Sequence, residues 1–92
     1  MADELVVGTV LSVADQPGAR APSLLLTLDL GSYGTVEAVV PLGGRERSDV
    51  EGRQIVVRRE DDGAVVVGAH SHARGLVLLR PDEEVEPGTL VS

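Results

Sequence analysis

The sequence predicts a small, nearly all-β domain, a barrel or a sandwich, with at most one short helical turn. Three observations carry this. Six short β-rich runs, separated by turn residues, fill the chain. Valine, whose branched side chain suits a pleated strand, leads the apolar residues, while Phe and Trp are absent and Tyr33 is the only aromatic. Glycines and prolines interrupt the sequence too often to leave room for a long helix.

The runs are 5–13, 23–30, 35–42, 53–59, 64–68 and 75–79. Between the first two, Pro17, Gly18 and Pro22 stop the ladder and make 15–22 a loop. Gly31-Ser32-Tyr33-Gly34 supplies a tight connection that pairs the second and third runs antiparallel. After Gly43-Gly44, a polar segment with only Val50 apolar allows one helical turn before Gly52. Asp62-Gly63, flanked by Ile55-Val56-Val57 and Val65-Val66-Val67, is the strongest hairpin signal and joins the fourth run to the fifth. Residues 68–75 read as a solvated connection. The acidic, proline-flanked stretch 81–88 reads as extended chain wrapping the domain.

Ninety-two residues suffice for one core, so residues 1–92 are expected to form a single domain. With 42% hydrophobic residues and a mean hydropathy of +0.11, the chain can offset the entropy of ordering itself. It lacks cysteine, and stability must come from packing, helped by oligomerisation. No apolar stretch approaches the roughly 20 residues that span a bilayer, and the acidic start Asp3-Glu4 is unlike a secretory signal. A cytoplasmic location is expected. All eight basic residues are Arg, and the formal charge of −7 opposes non-specific binding to phosphate polymers.

Chemistry-bearing clusters are sparse. Catalysis needs a nucleophile, a base and an orienting group, and two histidines without cysteine supply little of that, so no enzyme and no cofactor is expected. His70 and His72 stand at strand spacing, but a third metal ligand is not evident. The acids of 60–62 and 82–84 lack the spacing of a calcium loop. Gly43-Gly44-Arg45 lacks the lysine and spacing of a phosphate loop and reads as a sheet breaker. Only Tyr33 can stack a base. These residues alone point to a binding or assembly module.

Several segments, in order, resemble the family of tRNA-binding domains that includes the CsaA secretion chaperone. Ala19-Arg20-Ala21-Pro22 followed by Leu26-Thr27-Leu28-Asp29-Leu30-Gly31, and Pro81-Asp82-Glu83-Glu84-Val85-Glu86-Pro87-Gly88-Thr89, are similar to two of its motifs. Val7-Gly8-Thr9-Val10, Gly52-Arg53-Gln54-Ile55-Val56 and Leu76-Val77-Leu78-Leu79 resemble its first, fourth and last barrel strands. The resemblance implies a closed or partly open barrel of the oligonucleotide/oligosaccharide-binding (OB) type that forms a homodimer and binds tRNA or, in the chaperone branch, secreted precursors. Two departures stand out: Glu37-Ala38-Val39-Val40-Pro41-Leu42 replaces a serine- and glutamine-bearing third strand, and the acidic tip 60–63 replaces a basic connection.

Two ligand classes follow. For tRNA or another nucleic acid, which the resemblance puts first, the candidate contacts are Arg20, Arg53, Arg58 and Arg59. Arg20 is expected to pair with a phosphate or a carboxylate, or else to clamp Asp29 or a backbone carbonyl within the barrel. For an unfolded or secretory polypeptide, which the acidic charge favours, the candidates are Val36, Ala38, Val39 and Val40 on the apolar third strand. A module that only assembles with another subunit is the third possibility.

Overall fold

Leu24, Leu26 and Leu28 are buried while their neighbours at 23, 25, 27 and 29 are half-buried, so this segment is a strand with one face turned to a core. The same logic builds the rest. In the computed structural model, which describes residues 4–16 and 22–92, the strands are β1 (Leu5–Asp15), β2 (Ser23–Asp29), β3 (Thr35–Pro41), β4 (Gln54–Glu60), β5 (Gly63–Val66), β6 (Gly68–Ser71) and β7 (Gly75–Leu78). β1 to β5 form one sheet in the order β3-β2-β1-β4-β5, with every adjacent pair antiparallel.

β1 pairs along both of its edges and is irregular. Its first half, from Leu5 to Thr9, pairs with β4, and its second half, from Thr9 to Asp15, pairs with β2. A register shift between Val10 and Ser12 resets the alternation, so Val6, Val10 and Val13 all face the core while Leu11 is turned out. The C-terminal segment occupies the edge of β1 that β2 leaves free. There Val7 donates to the Thr89 carbonyl at 2.9 Å, Gly88 to that of Val7 at 2.7 Å and Val91 to that of Leu5 at 2.8 Å. The tail thus wraps the barrel as its composition predicts.

Alternating directions around the sheet make β3 and β5 run the same way, and they lie side by side to give a nearly closed five-stranded barrel. The core holds Val6, Val10, Leu24, Leu26, Leu28, Leu30, Val40, Val50, Ile55 and Val57, each at most 2% exposed. Each such side chain contributes roughly 1.5–3 kcal/mol on burial. That makes an aliphatic core sufficient without aromatic rings.

The connection from β2 to β3 is a single 3-10 turn, Gly31–Tyr33, and a second lies at Arg47–Asp49, inside the polar segment that the sequence allots to one helical turn. Gly31 has φ +65°, and a Cβ there would stand 2.2 Å from the Pro87 carbonyl oxygen, so both conformation and crowding demand glycine. The hairpin of β4 and β5 forms as predicted, with Glu60 opposite Gly63 and Asp61-Asp62 at the tip. Two expectations need correcting: the described residues hold two short helical turns where the sequence allots at most one, the added one closing the tight β2–β3 connection. Residues 68–71 are a strand rather than a solvated connection, because Gly68 lets β6 approach β7 where a Cβ would lie 2.5 Å from the Val77 carbonyl oxygen. The β6–β7 hairpin packs Leu76 and Leu78 against the core.

Candidate binding surface

The period of β3 decides which of its apolar side chains can meet a ligand. Ala38 and Val40 are buried in the core and Val36 packs against it, so these three point inward. Val39, 48% exposed, is the one of the four sequence candidates on the outer surface. An apolar run is therefore not an apolar surface: a strand divides it between two faces.

Neighbouring strands complete the outer face around Val39. Leu25 of β2 stands in register with it, and on the opposite side β5 brings Val65, itself 39% exposed. Leu25, Val39 and Val65 line a groove of about 450 Å³ together with Ala38, Ala64, Glu37 and Asp62. Among these lining residues are two carboxylates and no cation. No hydrogen-bond ladder joins β3 to β5 among the described residues, so the groove follows a seam where two strands run alongside without pairing. Sequence reasoning missed Leu25 and Val65; the signal was the short connection 30–34, which places Leu25 across from Val39 once the hairpin register is fixed.

Arg58 and Arg59 do not form one basic patch. Consecutive strand residues face opposite sides, so Arg58 points outward, where it pairs with Glu60 at 3.0 Å. Arg59 sits at the end of the inward row that includes Ile55 and Val57, and there it binds Glu4 at 2.8 Å. Its guanidinium lies 4.1 Å from the centre of the Tyr33 ring, and its Nε is buried without a hydrogen-bond partner. The hydrogen bond to Glu4 raises the already high pKa of this guanidinium. One face of the only aromatic ring is thus taken by a cation that is itself held by a carboxylate.

Arg53 is exposed and lines a cleft with Arg80, Asp82, Glu83 and Glu84, so carboxylates border it as well. Arg20 lies outside the described residues. Asp29, its alternative partner, accepts a hydrogen bond from the Gly31 amide at 2.8 Å. The structure does not gather Arg53, Arg58 and Arg59 into a continuous positive surface. His70 on β6 and His72 in the following turn are both exposed, and among the described residues no three His, Cys, Asp or Glu side chains converge as metal ligands.

Against solved structures, this architecture matches the CsaA chaperone from Bacillus anthracis str. Ames with a TM-score of 0.85 and 27% identity, over 98% of this chain and 91% of that one. The protein has the fold of the CsaA chaperones. A second CsaA chaperone, from Picrophilus torridus, matches with a TM-score of 0.85 and 21% identity over 98% and 92% of the two chains. The MetRS related protein from Pyrococcus horikoshii matches with a TM-score of 0.72 and 15% identity over 98% and 90%. At those two identities the likeness is one of fold. No family model matches the sequence, and no curated protein does either. The OB-type barrel implied by the sequence motifs is the architecture found. No helix among the described residues is long and apolar enough to cross a membrane.

Proposed function

We propose that the protein is a non-catalytic binding module that holds extended, unfolded polypeptide segments along the seam between β3 and β5. The observation that carries this is the outer row Leu25–Val39–Val65, in which Val39 and Val65 are exposed and stand on β3 and β5, two strands that do not pair. Unpaired strand edges accept an added strand, and apolar pockets beside them select alternate side chains. Glu37 and Asp62 on the rim favour segments in which apolar residues alternate with Lys or Arg. The 27% identity to a protein named as a chaperone supports the same reading. Nucleic acid is the weaker ligand because Arg58 and Arg59 are paired with acids and Arg53 lies beside them. A homodimer, implied by the resemblance, belongs to the proposal; sedimentation equilibrium should give twice the 9.6 kDa chain mass.

The deciding experiment follows light scattering from a heat-denatured reporter enzyme with wild-type protein and with V39D and V65D. Wild type should suppress aggregation, and both variants should lose most of that effect while keeping their thermal transition. Labelled peptides should bind more tightly with Lys than with Glu between the apolar positions. Equal suppression by V39D and V65D refutes the site. Tight, salt-sensitive binding of tRNA with no effect on the reporter refutes the ligand class.

A further inference from the structure

A third concavity, remote in character from the seam, lies where the β6–β7 hairpin meets the loop after β3. Its volume is about 340 Å³, and its lining brings together Arg45, Arg74 and Arg80 with a single carboxylate, Asp49. Three of the chain's eight arginines thus border one hollow of a protein whose net charge is −7. Leu76, Val77 and Leu78 supply an apolar wall. We infer that this hollow binds a doubly charged phosphate group, either free inorganic phosphate or the terminal monoester phosphate of a small organic ligand.

What separates Arg45 and Arg80 from Arg47, Arg58 and Arg59 is how they are held. Arg47, Arg58 and Arg59 each pair with a carboxylate, at 3.4, 3.0 and 2.8 Å. Arg45 instead donates to main-chain carbonyls: through Nη2 to Leu76 at 2.7 Å and through Nη1 to Pro41 and Leu42. Arg80 donates to the Asp49 carbonyl at 2.8 Å. A neutral carbonyl fixes a guanidinium without cancelling its charge, which leaves the cation oriented and available. Arg74 sits in the turn between Ala73 and Gly75, exposed, and no carboxylate among the described residues comes within ion-pair distance of it, of Arg45 or of Arg80.

The rim is kept low by Gly43 and Gly44, both with positive φ, at +54° and +81°, so a ligand can approach main chain rather than side chains. Asp49 is occupied locally: its Oδ2 accepts the Glu46 amide at 2.8 Å. Three guanidinium groups against one carboxylate match a doubly charged anion better than the single charge of a diester. Arg80 also borders the acidic cleft of Asp82, Glu83 and Glu84, which repels a polyanion extending that way and favours a compact ligand.

Isothermal titration of the full chain with inorganic phosphate, 5′-AMP, 3′,5′-cyclic AMP and adenosine tests this. Phosphate and 5′-AMP should bind, cyclic AMP should bind roughly ten-fold more weakly, and adenosine should not bind, which separates the phosphate from the organic part as the source of affinity. Arg74→Gln and Arg80→Gln should each weaken phosphate binding about ten-fold or more, as expected for loss of a charge-assisted contact, whereas Arg58→Gln should leave it unchanged. Arg74 has an exposed turn position, so its variant folds normally and keeps the test decisive. Absence of phosphate binding at millimolar concentration overturns the inference, as does equal affinity for AMP and cyclic AMP or unchanged binding by R74Q and R80Q. The polypeptide reading of the seam is unaffected by either result.

Discussion

The β3–β5 seam and the β6–β7 hollow are built from the same acidic, lysine-free chain, yet they present opposite chemistry. At the seam the lining is apolar with two carboxylates; in the hollow it is three arginines with one carboxylate. The difference lies in the partners each charge finds. On the barrel wall, Arg58 and Arg59 are met by Glu60 and Glu4, and their fields are largely spent locally. At the hollow, main-chain carbonyls hold Arg45 and Arg80 and leave their charge intact. Net charge therefore says little about what a surface binds; the acceptor beside each cation says more.

Truncating the core beneath the seam should have the largest effect. Leu26 is fully buried opposite Ala38, so Leu26→Ala should cost about 3 kcal/mol in urea unfolding through lost burial and a cavity. A loss below about 1 kcal/mol would mean that the wall under the seam is not packed as described. Next comes Val39→Asp. Because that side chain faces outward, stability should change by no more than about 0.5 kcal/mol while reporter protection falls roughly ten-fold. A loss of more than about 2 kcal/mol in this variant would merge the two faces that the structure separates.

A smaller effect is expected from Arg45→Ala. Losing the bonds to Leu76 and to the end of β3 should cost about 1 kcal/mol and speed amide exchange in β6 and β7, read by hydrogen exchange, without altering protection of the reporter. If the seam responded too, hollow and seam would be one coupled region. The smallest change belongs to Arg58→Gln: its pair with Glu60 is well exposed on both sides, so unfolding should shift by less than about 0.5 kcal/mol.

The strand order of the wall could be read in advance only in part. Hairpin pairing of β2 with β3 and of β4 with β5 followed from short connections and β-formers on each side. β6 escaped notice because His70, Ser71 and His72 carry no apolar alternation, and its pairing rests on a glycine packed against a neighbouring carbonyl. The third strand is apolar in sequence, but the period of two turns Val36, Ala38 and Val40 toward the core and leaves Val39 outside. Arg45, Arg74 and Arg80 lie in separate segments, and nothing local marks them as neighbours.

Composition and turn chemistry by themselves determined that this chain forms short strands around an aliphatic core, because burial and backbone preference act through residues near one another in sequence. Tertiary structure alone decided that β3 and β5 meet without pairing, that two adjacent arginines part to opposite faces, and that three distant ones converge. Those outcomes depend on barrel closure and on which carbonyl or carboxylate each guanidinium meets across it, and such contacts are fixed by the path of the whole chain.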